Sequence, residues 1–235
     1  MSHRGSNCAT LSGTVPTAAT ARPPRRVLLL TLLVCALAGP SFWLTGTAQA
    51  KCGQKRSAGP AQRPGVARPP LVIGDSVLYD AVPGLARLGF EANGMICRRM
   101  DQGLAILRSR AKRRILPRLV VLELGANGTV TTAQVDEALA LVGSRGKLVL
   151  LTPTDTDRPK GADAIVMRLA ALRTPARVRV LEWATLAATH PEWMAKDGVH
   201  LRNQAGIDGL IALIAQSTSA APPPPPPTTG GLPAP

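Results

Sequence analysis

Short aliphatic runs recur along the middle of this chain, at Leu71–Ile73, Arg118–Leu124, Lys147–Thr152 and Arg177–Glu182, each followed by a stretch with helical spacing. A strand with one face in water alternates apolar and polar residues. These runs do not alternate, so both of their faces must be covered. A weaker run, Glu91–Ile96, adds a fifth strand. Helices are predicted over Val77–Leu88, Gln102–Lys112, Thr132–Val142 (with Thr132 as N-cap), Ala162–Leu172 and Asn203–Gln216. Strand–helix alternation of this kind predicts an α/β protein, a three-layer α/β/α sandwich around a parallel five-stranded sheet. Aromatic residues are only 3% of the chain, so the core must be packed with Leu, Val, Ile and Ala.

The flanks have different characters. Arg22, Arg25 and Arg26 precede the apolar run Val27–Gly39, and Ala48-Gln49-Ala50 has the small-x-small pattern of a signal peptidase site, so residues 1–50 are expected to be a cleaved export signal. An uncleaved anchor competes with that expectation, because Val27–Leu44 is about long enough to span a bilayer. Residues 51–70 are rich in Pro, Gly and basic side chains and are expected to be a linker. Residues 217–235, with consecutive prolines at Pro222–Pro227, are expected to be an extended tail. The folded domain is therefore placed at 71–216, in the cell envelope, periplasm or outside the cell.

Four of the 28 Lys+Arg and none of the 14 Asp+Glu lie in residues 1–50, so the remainder keeps a formal charge of +10. For an exported protein that excess suits anionic envelope polymers or lipid head groups better than nucleic acid. A solvated basic run at Arg108, Arg110, Lys112, Arg113 and Arg114 accounts for much of it. Cys52 and Cys97 remain after the signal, and an exported pair is permitted to form a disulfide. No His or Cys cluster has metal-ligand spacing, and neither metal nor cofactor is expected.

The fold class locates a site before any motif is considered. In open parallel sheets ligands bind at the carboxyl ends of the strands, where the chain direction switches. With strand order 2-1-3-4-5 that point lies between the first and third strands, which are followed by Ser76 and Asn127. Ser76 reads equally well as an N-cap opening a helix. To act as a nucleophile it needs a base, and histidine serves near neutral pH. His200 lies in Asp197-Gly-Val-His200, where a turn brings the Asp197 carboxylate against the imidazole. His190 has no acidic partner at that spacing. Asn127, in Gly125-Ala126-Asn127, offers a side-chain amide to a developing oxyanion, and Gly125 leaves room for substrate. The Ser76 backbone N–H, backed by a helix dipole, adds a second donor.

Gly74-Asp75-Ser76, Gly125-x-Asn127 and Asp197-x-x-His200 together resemble three of the four sequence blocks of the SGNH (GDSL-type) hydrolases, in order, across residues 71–216. The resemblance implies a flavodoxin-like sandwich and esterase or acyl-transfer chemistry. Ser76 would be the nucleophile, His200 the base, Asp197 its orienter and Asn127 an oxyanion donor, while Asp75 orders the turn. The remaining block departs from the family. Gly94 falls early for the glycine that completes the oxyanion hole, and the matching position lies nearer Cys97 or Arg98. Arg98 is therefore a candidate donor through its backbone, and Arg99 a candidate for binding an anionic substrate group.

Arg98–Gly103, Leu124–Thr129 and Trp193–Leu201 are closer still to SGNH domains of bacterial acyltransferase-three-type membrane proteins, which O-acetylate surface glycans. That resemblance implies an acylated glycan or small ester as substrate and a membrane acyltransferase on another chain as partner. A noncatalytic, polymer-binding domain of the same fold is the alternative. A nucleotide-binding Rossmann domain is a poor third reading, since no G-x-G-x-x-G follows the first strand.

Overall fold

In a computed structural model of the protein, which describes residues 52–61, 67–154 and 161–218, the aliphatic runs form the inner strands of a six-stranded sheet. The strands are β1 (Lys55–Ala58), β2 (Leu71–Gly74), β3 (Glu91–Met95), β4 (Leu119–Glu123), β5 (Lys147–Leu151) and β6 (Val178–Leu181), in the spatial order β1-β3-β2-β4-β5-β6. From β3 to β6 all neighbours are parallel, and only β1 runs antiparallel, against β3. The switch point thus falls between β2 and β4, as the sequence predicts.

Alternate side chains of each strand enter opposite layers, because successive Cβ atoms point to opposite faces. Val72, Val121, Val149, Leu151 and Leu181 pack with α1 (Ser76–Tyr79), α2 (Val82–Arg87), α6 (Trp183–Thr189) and α7 (Gln204–Ala215). Leu71, Ile73, Val120, Leu122, Leu148 and Leu150 face α3 (Met100–Lys112), α4 (Thr132–Val142) and α5 (Ala162–Arg173). Each fully buried Leu, Val or Ile contributes roughly 1.5–3 kcal/mol of transfer free energy, and the sheet is lined with them on both sides.

The structure corrects the sequence expectation in several places. The sheet has six strands rather than five, because β1 lies inside the segment expected to be linker. Its composition carries no apolar period, and it pairs at the edge through its backbone. Cys52 and Cys97 form a disulfide that ties the chain just before β1 to the loop after β3. The predicted helix Val77–Leu88 is two helices, with Pro83 in the first turn of the second, where its missing N–H costs nothing. The cap of α4 is Thr131, whose hydroxyl accepts from Gln134 N at 3.3 Å, rather than Thr132. The short helix α6 is missing from the sequence expectation altogether; it carries Trp183, which is fully buried.

The basic run is partly paired rather than merely solvated, with Arg108 forked onto Glu137 at 2.5 and 2.9 Å and Arg110 bonded to Glu91. Among the described residues no helix is long and apolar enough to cross a membrane. The expected export signal and nearly all of the Pro-rich tail lie outside the described residues.

Candidate active site

Ser76 is the first residue of α1, immediately beyond the carboxyl end of β2. It is not the N-cap. Asp75 takes that role, its Oδ1 accepting from Val77 N at 3.0 Å. The Ser76 hydroxyl is therefore available to other partners. Its helix is a single turn of four residues, so the expected backing from a long helix dipole reduces to the local N–H groups.

His200 Nε2 lies 3.0 Å from Ser76 Oγ, and His200 Nδ1 lies 2.7 Å from Asp197 Oδ2. The loop that presents this pair is closed on itself. Asp197 Oδ1 accepts from the backbone N–H groups of Val199 (2.9 Å) and His200 (3.0 Å), and Ala195 N donates to His200 O at 2.8 Å. Met194 and Leu201 form an antiparallel bridge at its base. Behind it, Trp193 packs on the glycine face of α7, where a Cβ on Gly209 would stand 2.5 Å from the indole. His190 stacks on the same Trp193, with centroids 3.8 Å apart, and its Nδ1 meets Glu192 at 3.0 Å, so it has an acidic partner that the sequence spacing missed.

Burial works to raise the Asp197 carboxyl, but the Val199 N–H, the His200 ring and the His200 N–H outweigh it and hold the group below the usual carboxylate range. An ionised Asp197 can only accept, so Nδ1 of His200 carries the ring proton and Nε2 is left to accept from Ser76.

Asn127 stands in the turn after β4, across the switch point. Its Nδ2 is buried without a hydrogen-bond partner. It faces Asp75 closely enough to help draw that carboxyl down, yet the contact falls short of full hydrogen-bond geometry. A buried donor without an acceptor is costly, and such groups collect where a ligand completes them. Gly125 shapes the same turn at φ +139°, and a Cβ there would stand 2.6 Å from Pro153 Cγ. Arg99 caps α3 with its side chain mostly exposed, paired to Asp101 at 3.4 Å. Its methylenes run beside Gly128, next to Asn127, so the structure brings Arg99 to the rim of this turn.

Arg98 is where the sequence expectation fails. Its backbone N–H is committed to Met95 O at 3.1 Å, which removes it as an oxyanion donor. Its side chain turns inward instead and is 1% exposed, with Nη1 on Gly74 O at 2.7 Å. Beside it lies Glu123, buried at the end of β4, with Oε2 accepting from Asp75 N at 3.1 Å. Sequence reasoning missed Glu123. The available signal was a carboxylate inside Leu-Val-Val-Leu-Glu-Leu, an expensive residue to enclose in an aliphatic strand. Burial pushes Asp75 up to about 6 and raises Glu123 well above the usual carboxylate range, while the same burial lowers Arg98 to about 10.

No family model matches the chain. Relatives and a solved structure do. YrhL of Bacillus subtilis is 32% identical over 152 residues, which is 63% of this chain and 23% of YrhL. O-acetyltransferase OatA of Staphylococcus aureus is 29% identical over 151 residues, 63% of this chain and 24% of OatA. The chain thus spans about a quarter of the length of the curated relatives it matches. The C-terminal catalytic domain of Streptococcus pneumoniae peptidoglycan O-acetyltransferase A, solved with a methylsulfonyl adduct, superposes with a TM-score of 0.54 at 27% identity, over 65% of this chain and 91% of that one. The three sequence blocks gather at one switch point, and the chain is similar to these O-acetyltransferases in sequence and to the O-acetyltransferase catalytic domain in fold.

Proposed function

We propose that the domain built on this six-stranded sheet is a serine esterase or O-acyltransferase of the cell envelope, acting on acetyl esters of an envelope glycan or on related esters. The observation that carries this reading is the line of contacts from Ser76 Oγ through His200 to Asp197. Ser76 Oγ attacks the ester carbonyl as its proton passes to His200 Nε2, and Asp197 stabilises the imidazolium. The tetrahedral oxyanion is met by the Ser76 N–H and by Asn127 Nδ2, the buried donor without a partner. Collapse expels the alcohol, which takes the proton from His200, and leaves an acyl group on Ser76. Water, or a sugar hydroxyl, then gives its proton to His200 and attacks the acyl carbon, and collapse of this second intermediate breaks the bond to Ser76 Oγ, which takes the proton back from His200. The first outcome is hydrolysis and the second is transfer.

Residues 1–50 would export the domain or anchor it, and an acyl donor would come from a membrane acyltransferase. The excess positive charge suits approach to an anionic envelope polymer, and Arg99 at the rim suits an anionic group on the substrate. A noncatalytic binding domain would have no use for an aligned base, so the Ser76–His200 contact counts against that alternative.

The test is a chromogenic acetyl ester together with a fluorophosphonate probe. The wild-type chain should turn over the ester and be labelled at Ser76, and Ser76→Ala should lose both. A folded wild-type chain that reacts with neither removes the catalytic reading. Offering a glycan acceptor then separates transfer from hydrolysis.

A further inference from the structure

The peptide unit between Gly74 and Asp75 is gripped at both of its polar atoms by ionisable side chains. Its carbonyl oxygen accepts from Arg98 Nη1 at 2.7 Å, and its N–H donates to Glu123 Oε2 at 3.1 Å as well as to Glu123 O at 3.2 Å. This unit immediately precedes Ser76. We propose that Arg98 and Glu123 are positioning residues that fix this peptide plane and so aim the Ser76 hydroxyl at His200 and the Ser76 N–H at the oxyanion, an inference that rests on Ser76 being the nucleophile.

The grip is itself anchored. Arg98 also donates from Nη1 to Asn93 O at 2.6 Å and from Nη2 to Asn93 Oδ1 at 2.5 Å, so the guanidinium is locked to β3 as well as to the end of β2. The neighbouring Cys97 stands at φ +62° and is tied through its disulfide to Cys52. Glu123 is the register partner of Gly74 on β4, and a Cβ on Gly74 would stand 2.6 Å from Glu123 Oε2. Only glycine lets the carboxyl cross beneath the chain to reach the Asp75 N–H. Asp75, whose Oδ1 caps α1 through Val77 N, belongs to the same buried group.

Space alone does not call for such a cluster. Hydrophobic side chains of similar volume fill a buried site at no greater cost, and often at less. A ball of aliphatic side chains, however, has no means of holding one peptide plane by both its oxygen and its N–H. The cluster sits under the residue whose orientation matters for attack on the face of the ester carbonyl, where a misplacement of about 1 Å costs roughly 10²-fold.

The experiment measures kcat and KM on a chromogenic acetyl ester, the rate of fluorophosphonate labelling of Ser76, and the thermal midpoint. Arg98→Met and Glu123→Ala should lower kcat and the labelling rate by roughly 10- to 100-fold with KM within about twofold, in chains still folded at the assay temperature. Arg98→Lys restores a donor and Glu123→Gln an acceptor, and each should recover most of the loss. Wild-type kcat in the folded Met or Ala variant overturns the inference, as does a loss confined to KM, or a Lys or Gln variant as slow as its counterpart. Should Arg98→Met fail to fold, Asn93→Ala removes one anchor of the fork without emptying the interior; a several-fold fall in kcat supports the proposal and an unchanged kcat overturns it. Wild-type chain that is not labelled at Ser76 defeats the catalytic reading and this inference with it. Normal labelling with unaffected variants defeats only this inference.

Discussion

Ser76 Oγ and His200 Nε2 are 124 residues apart in sequence and 3.0 Å apart in space. A hydroxyl and an imidazole held this way form a nucleophile–base pair only if the other ring nitrogen is fixed, and Asp197 fixes it at 2.7 Å. On the proposed mechanism, Ser76→Ala or His200→Ala lowers kcat on an acetyl ester by at least about 10³-fold, while Asp197→Asn, which leaves the ring in place but favours the wrong tautomer, costs about 10²- to 10⁴-fold. Steady-state kinetics on the purified variants check this. Retention of wild-type kcat by His200→Ala would remove His200 from the mechanism.

Asn127 should act in the transition state rather than in ground-state binding, since its buried Nδ2 makes no full hydrogen bond within the fold and an oxyanion would complete it. Asn127→Ala is expected to lower kcat by about 10²- to 10³-fold with little change in KM. Asn127→Asp should be no better, because it presents an acceptor where a donor is needed. A change in KM alone would assign Asn127 to substrate binding.

The buried carboxyls set a pH dependence of stability. Burial raises Asp75 from its usual 3.8 to about 6 and raises Glu123 in the same direction. The folded chain therefore holds more protons than the unfolded chain above the usual carboxylate range, and stability falls as pH rises through about 6. The wild-type thermal midpoint should decline as pH rises from about 4 to about 6 through the Asp75 carboxyl, and the raised Glu123 carries the decline further in the same direction. In Asp75→Asn, which keeps an oxygen for Val77 N, and in Glu123→Gln, the decline should be shallower. An identical slope in all three chains would assign the effect to other groups.

Cys52 and Cys97 are 45 residues apart, and cross-linking a loop of that length removes denatured-state entropy worth about 4 kcal/mol. Cys52→Ser, or reduction, is expected to lower the denaturant midpoint accordingly. Activity at low temperature should suffer less from Cys52→Ser than from Arg98→Met, because the Arg98 fork onto Asn93 and Gly74 remains. Equal stability in the oxidised and reduced chains would contradict the assigned bond.

The parallel sheet was legible because its strands are covered on both faces, and unbroken runs such as Leu119–Leu122 have few other uses in a soluble domain. The edge strand β1 was not legible. It pairs through backbone groups, which any sequence carries, and Lys55–Ala58 has no apolar pattern to mark it. The break between α1 and α2 could have been read from Pro83.

Ser76, Asn127, Asp197 and His200 are chemistry-bearing residues beside strand ends or helix starts, and their local order along the chain was enough to single them out. What local order cannot carry is direction. Arg98 and Arg99 are adjacent and chemically identical, yet one enters the interior to hold Gly74 while the other stays at the surface beside Gly128. Sequence by itself determined the alternation of strands and helices and the residues at the switch point, because these follow from short-range periodicity. Only the tertiary structure decided that Asp75 rather than Ser76 caps the helix, that Glu123 and Arg98 share one peptide plane, and that β1 closes the sheet. Each of those depends on which groups meet across strands, where the cost of burying a charge is offset only by partners distant in the chain.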